Sequence, residues 1–148
     1  MKHVARSVLM VVLSIVLVVC VVAAVAAPLT VRRSFPMTAG EIMLAGLDGQ
    51  VDVYLDTLGV PHIYASTSHD LFFAQGYLHA QDRFWQMDFW RHIGSCRLAE
   101  MFGESEVDTD KFLRTLGWAR VVQEELEKID PEALQILEQY SEGVNAYL

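Results

Sequence analysis

The stretch Val51 to Gly94, VDVYLDTLGVPHIYASTSHDLFFAQGYLHAQDRFWQMDFWRHIG, decides how this chain is read, because the spacing of its apolar residues changes from two to about 3.6 within it. Val51, Val53 and Leu55 alternate with Asp52, Tyr54 and Asp56, and Thr57-Leu58-Gly59 intervenes before Val60-Pro61-His62-Ile63-Tyr64. Two such runs around a glycine-containing loop predict a β-hairpin, with Pro61 at an edge or a strand start because it has no N–H to donate. Thr67 followed by Asp70 then predicts a helix start, where the threonine oxygen accepts an amide and the acid suits the positive end of the helix dipole.

The helix predicted from there to about Gly94 carries Phe73, Tyr77, Ala80, Phe84 and Met87 on one side and Leu71, Ala74, Leu78, Trp85 and Phe89 on another. Burial of both sides is expected. Between them Gln75, His79, Asp82 and Gln86 form a polar stripe that needs hydrogen-bond partners or solvent, and Gly76 permits close approach of another backbone. One further helix is expected over Asp108 to Lys128, with Phe112, Leu116, Ala119, Val122 and Leu126 inward. Another starts at Pro131 with Asp130 as its N-cap. Leu134, Leu137, Val144 and Leu148 keep helical spacing to the last residue without a stop signal, so the sequence reads as ending inside an element.

Upstream, Val8 to Ala27 is VLMVVLSIVLVVCVVAAVAA, apolar apart from Ser14, and about 20 helical residues span the roughly 30 Å hydrocarbon core of a bilayer. Lys2 and Arg6 precede it, as in a signal peptide or signal-anchor. Ala24-Val25-Ala26 would suit a signal peptidase, whereas Pro28 obstructs cutting after Ala27 and the apolar run exceeds a usual signal core of about 7 to 15 residues. Length favours an uncleaved anchor. Lys2, Arg6 and the amino group on one side nearly balance Arg32 and Arg33 on the other, so charge alone leaves the orientation open. The expected division is a membrane segment over 1–27, a linker over 28–49 rich in Pro and Gly, and a domain over 50–148.

The net charge is −8, of which Glu104 to Leu148 contributes −7 through eleven acids against four bases, so no nucleic-acid partner is expected. Cys20 lies in the membrane segment and Cys96 is alone in the rest, which leaves no intrachain disulfide framework for the domain.

Several ordered blocks carry a resemblance: Gly59-Val60-Pro61-His62-Ile63-Tyr64-Ala65, then Asp70-Leu71-Phe72-Phe73-Ala74-Gln75-Gly76-Tyr77, then Ala80-Gln81-Asp82-Arg83-Phe84-Trp85-Gln86-Met87-Asp88. Arg97-Leu98-Ala99-Glu100, Asp110 to Trp118 and Tyr140 to Leu148 continue the series. From about Val51 to its end the chain resembles the penicillin acylase (penicillin amidase) family. The resemblance implies an N-terminal-nucleophile hydrolase of α+β class, in which the hairpin and helices contribute to a four-layer αββα sandwich. It further implies a precursor that cuts itself into α and β chains and hydrolyses an N-acyl amide, and this chain would begin the α chain. The nucleophilic serine, freed at the start of the β chain with its own α-amine as base, would lie beyond Leu148, so no catalytic, cofactor or metal residue is assigned within 1–148. Calcium, if the complete protein holds it, would also draw on later residues. The implied partners are an N-acyl amide substrate, the β chain and, through residues 8–27, a membrane, with the domain on the extracytoplasmic side. Were the signal cleaved, the product would be secreted. The rival reading is a membrane-tethered, non-catalytic interaction module binding through the aromatic helix. The family usually has glycine where this chain has Cys96, so either the local turn differs or a cysteine in the left-handed region carries about 1 to 2 kcal/mol of strain.

Individual candidates each have a plainer reading. Gly94-Ser95 looks superficially like a self-cleavage junction but comes too early in the chain for this family. His79 and Asp82 could hold a metal, yet two ligands do not make a site, and a satisfied polar stripe is expected. Arg83 is expected in a structural ion pair rather than on a substrate carboxylate. His62 is expected packed or hydrogen-bonded rather than acting as a base, and Cys96 has no adjacent base to lower its pKa. Phe84, Trp85, Phe89 and Trp90 read first as core.

Overall fold

The computed structural model describes residues 2–32 and 35–148, which divide into two compact units, Met1–Ala39 and Gly40–Leu148. Met1, Arg33 and Ser34, and with Arg33 half of the second basic flank, lie outside the described residues. The first unit holds one helix, α1 (Lys2–Arg32), with residues 35–39 irregular. The helix continues through Pro28 and ends five residues beyond the expected boundary at Ala27. A proline removes one ladder hydrogen bond, and the Thr30 hydroxyl adds bonds to the Ala26 and Ala27 carbonyls at 3.1 and 2.9 Å just there. From Val12 to Arg32 every side chain is exposed, and this stretch is long and apolar enough to cross a membrane.

The second unit opens with an irregular segment and the antiparallel hairpin β1 (Asp52–Leu55) and β2 (Pro61–Tyr64), in the register Val53 opposite Ile63. Asp56 builds the loop, accepting the Leu58 and Val60 amides at 2.8 and 2.9 Å, while Gly59 takes a φ of +78°. Those bonds, the Val60 amide foremost, hold the Asp56 carboxyl below its ordinary pKa. Pro61 sits at the first position of its strand, where no ladder donor is required. Ahead of the hairpin, Gly46, Asp48 and Gly49 lie against the next helix.

That helix, α2 (Ser68–Gly94), starts as its sequence requires, with Thr67 Oγ1 accepting the Asp70 amide at 3.1 Å. Its run is interrupted at Arg83, whose φ and ψ are −145° and 29°. Burial is concentrated in the first half of α2, at Asp70, Phe73, Ala74, Gly76 and Ala80, with His92 alone buried in the second half, and does not cover both sides along its whole length. The reason is α6 (Pro131–Tyr147), capped by Asp130 and packed across that half alone. Backbones meet at two glycines: a Cβ on Gly76 would overlap the Tyr140 carbonyl, and one on Gly143 would overlap the Phe73 carbonyl.

Between them lie the short α3 (Ala99–Phe102), a 3-10 turn at Glu104–Glu106, α4 (Val107–Leu116) and α5 (Trp118–Leu126). The single helix expected over 108–128 is therefore two, broken where Gly117 takes a φ of +76° and its amide returns to the Leu113 and Arg114 carbonyls. The expected inward set is also out of phase. Phe112, Leu116, Val122 and Leu126 are exposed, and Leu113 and Asp110 are buried instead. Asp110 explains the phase, because its carboxylate accepts the Leu98 and Ala99 amides at 2.8 and 2.9 Å and so caps α3 from the side.

Helix α2 closes in a Schellman arrangement, Cys96 N–H to the Ile93 carbonyl and Arg97 N–H to that of His92, with Cys96 at a φ of +56°. Its side chain is buried, and Arg114 donates two bonds to its carbonyl at 3.0 and 3.2 Å. In the complete protein, Cys96→Gly is expected to change stability by no more than about 1 kcal/mol, since relieved strain offsets lost burial. Cys96→Val should cost about 2 kcal/mol, being β-branched at positive φ and oversized for a closed site. Denaturant titration of both variants checks this, and equal losses would contradict it.

Candidate functional site

The main titratable cluster gathers where the irregular segment, the start of α2 and the later turns of α6 meet. Asp70 is completely buried, yet it accepts the Asp48 amide at 2.8 Å on one carboxylate oxygen and the Gly49 amide at 3.1 Å on the other. The Asp48 amide, seconded by His69, Thr67 and Gly49, holds its carboxyl below the ordinary value against the opposing effect of burial. His69 Nδ1 lies 3.2 Å from Asp70 Oδ1 and 3.6 Å from Asp48 Oδ2, and its Nε2 lies 3.5 Å from Glu142 Oε2. The Asp70 hydrogen bond, with Asp48 and Glu142, raises the His69 pKa. Asp48, His69 and Asp70 bring one polar atom each within 4.8 Å. A protonated imidazole suits that arrangement, since carboxylates face both ring nitrogens and only the cation donates from both. Sequence reasoning read Asp70 only as an acid near a helix start. The signal for the rest would have been its adjacency to His69, which says nothing about Asp48 or Glu142.

A second polar pair joins α2 to α6, with His79 Nδ1 2.9 Å from the Tyr140 hydroxyl and the rings edge to face at 5.7 Å. Burial, aided by the nearby Arg83 charge, lowers the His79 pKa, and burial raises that of Tyr140. A neutral imidazole bonded to a neutral phenol is the outcome. Asp82, expected alongside His79 on the polar stripe, is exposed. Arg83 is exposed too and makes no salt bridge among the described residues, which corrects the expected ion pair: the break in α2 at that residue leaves its side chain in solvent.

The remaining candidates fall on the surface or in caps. His62 is exposed on the hairpin and paired with Asp56, its Nε2 3.6 Å from Oδ2, the polar one of its two expected settings. Ser95 is the C-cap of α2, and its hydroxyl donates to the Arg91 carbonyl at 2.7 Å. The aromatic set is not core among the described residues. Trp85 and Trp90 are 65% and 60% exposed, Trp85 stacks on Phe89 at 5.7 Å, and Phe89 meets Trp90 and Phe102 edge to face. Helical spacing misled here because α6 covers only the other half of α2. Phe112, Trp118 and Val122 are exposed as well.

Comparison with known proteins gives a consistent result. The profile of the penicillin amidase family matches residues 50–148. The acyl-homoserine lactone acylase QuiP of Pseudomonas aeruginosa is 38% identical over 115 residues, covering 78% of this chain and 14% of that protein. The penicillin acylase 2 proenzyme of Pseudomonas sp. strain SE83 is 37% identical over 115 residues, covering 78% and 15%, and the penicillin G acylase of Escherichia coli is 34% identical over 99 residues, covering 67% and 12%. A solved thermostable penicillin G acylase from Alcaligenes faecalis superposes with a TM-score of 0.59 at 31% identity, over 66% of this chain and 52% of that one. The chain thus spans about one seventh of the length of the first two relatives, at 14% and 15%.

Proposed function

The chain belongs to the penicillin amidase family, and from that premise we propose that it is the opening part of the α chain of an exported enzyme that hydrolyses a linear N-acyl amide. The observation that carries this reading is the match over residues 50–148 to a family whose curated relatives are named as penicillin and acyl-homoserine lactone acylases. Both named substrates contain an amide joining an acyl group to an amine, so the shared chemistry is amide hydrolysis and the acyl group stays open. In the proposed reaction a serine beyond Leu148, freed as the β-chain N-terminus by self-cleavage, attacks the amide carbonyl while its own α-amine takes the proton. Backbone and side-chain donors stabilise the oxyanion, the amine leaves with the proton, and water then releases the acid.

Residues 1–148 would serve this chemistry as scaffold. The exposed aromatic end of α2 and the apolar faces of α4 and α5 supply a surface for the rest of the precursor, including the β chain, to cover. For α1 we propose an uncleaved anchor with the domain on the outer side of the membrane. The apolar run from Val8 to Ala27 is longer than the usual signal core of about 7 to 15 residues, which supports retention. Mass spectrometry of the purified complete protein, with release of acid from phenylacetyl and long-chain acyl amides, tests the enzyme reading. Two chains are expected, the second beginning with serine, and replacement of that serine should abolish turnover. A single uncleaved chain without turnover would refute it, as would turnover by residues 1–148 alone.

A further inference from the structure

We propose that His69 is a pH-operated clamp: as an imidazolium it ties the segment entering the domain to α2 and α6, and on losing its proton it lets that segment loosen. Three separate parts of the chain converge on this one ring. Asp48 comes from the irregular segment, Asp70 from α2 beside it, and Glu142 from α6, at 3.6, 3.2 and 3.5 Å. Carboxylates face both ring nitrogens. A neutral imidazole carries a single N–H and can serve only one of those sides, whereas an imidazolium donates on both. Among the described residues these three carboxylates are the charged groups within ion-pair distance of His69, with the Phe73 ring as its apolar neighbour.

Losing the proton therefore has two effects. One of the two polar sides loses its donor, and three carboxylates are left converging without a cation, of which Asp70 is fully buried. Asp70 and Asp48 are also the groups that dock the irregular segment, through the Asp48 and Gly49 amides on the Asp70 carboxylate. Repulsion at His69 thus acts directly on the contacts that hold residues 46–49 in place, against the ring of Phe73. The cluster raises the His69 pKa, so the clamp's contribution is complete below the unfolded value of 6.5 and is lost as pH rises through the higher folded value. Asp70, with a lowered pKa, stays ionised throughout that range. The clamp does not depend on the hydrolase reading; only its exposure to ambient pH rests on export.

Hydrogen exchange of the peptide covering residues 40–49, measured on the complete protein from pH 6 to 9 and corrected for intrinsic base catalysis, tests the proposal. Protection is expected to fall at least about threefold across that range. His69→Gln should be flat with pH and rest at the alkaline level, while Glu142→Gln, at an exposed site, should move the midpoint to lower pH. The His69 ring proton followed by NMR should titrate above the ordinary histidine value. Constant wild-type protection, an unchanged pH dependence in His69→Gln, or a ring that titrates at or below the ordinary value would each overturn it.

Discussion

The complete protein carrying Gly76→Ala is expected to lose about 3 kcal/mol or more of stability, although alanine is the better helix former by about 1 kcal/mol. Propensity and packing point in opposite directions at this position, and the geometry decides which wins. The added methyl would overlap the carbonyl of Tyr140, with Val144 N at 3.1 Å behind it, and both belong to the backbone of α6, which has no rotamer to turn aside. The two helices would have to separate, opening Phe73 and Ala80 and breaking the bond from Tyr140 to His79. Gly143→Ala should behave alike, since its methyl meets the Phe73 carbonyl from the opposite side. Gly94→Ala is the internal control: a methyl there meets nothing within 4 Å, so it should stabilise by up to about 0.5 kcal/mol. Urea titrations of the three variants are the measurement. Should Gly76→Ala match Gly94→Ala, the close approach of α2 to α6 would be wrong.

Asp70→Ala carries the second large expected effect, about 3 kcal/mol. It removes a fully buried carboxylate that accepts two part-buried amides, and a hydrogen bond to a charged group contributes about 1.5 to 3 kcal/mol. It also takes away the nearest carboxylate of His69. Asp70→Asn keeps one oxygen but turns an NH2 group toward a donor, so it should recover only part of the loss. The pH dependence has a definite sign. Because the Asp70 carboxyl is held below its ordinary value, its contribution is fully present above the unfolded value of 3.8 and disappears as pH falls through the lower folded value. Acid titration of stability should therefore be shallower in Asp70→Ala than in the wild type below about pH 4. Equal acid sensitivity would show that Asp70 is not ionised and bonded as described.

Much of the local structure was legible in the residues themselves. The hairpin, the Thr67 cap and the Asp130-Pro131 start all stem from short-range chemistry: alternation, an oxygen for an orphan amide, a ring that fixes φ. Gly76 was legible as a place of close approach, though not which backbone would come there. The helical wheel failed where a distant residue set the phase. Asp110 turns inward to cap α3, which carries Leu113 in and Phe112 out, and no window of local hydrophobicity contains that bond across eleven and twelve residues. Gly117 ended a helix that apolar spacing alone would have continued.

By itself, then, the sequence determined the apolar first helix, the α+β class of the domain beyond it, the starts of its hairpin and of the helices at Ser68 and Pro131 and, through ordered blocks of residues, its family. These are properties of neighbours along the chain or of residue identity. Only the tertiary structure decided that Asp48, His69, Asp70 and Glu142 share one cluster, that His79 meets Tyr140, and that the aromatic end of α2 lies open while its first half is covered. Those outcomes depend on which helix packs where. That is settled by the joint packing of surfaces more than sixty residues apart, as His79 and Tyr140 are, which no local pattern of spacing encodes.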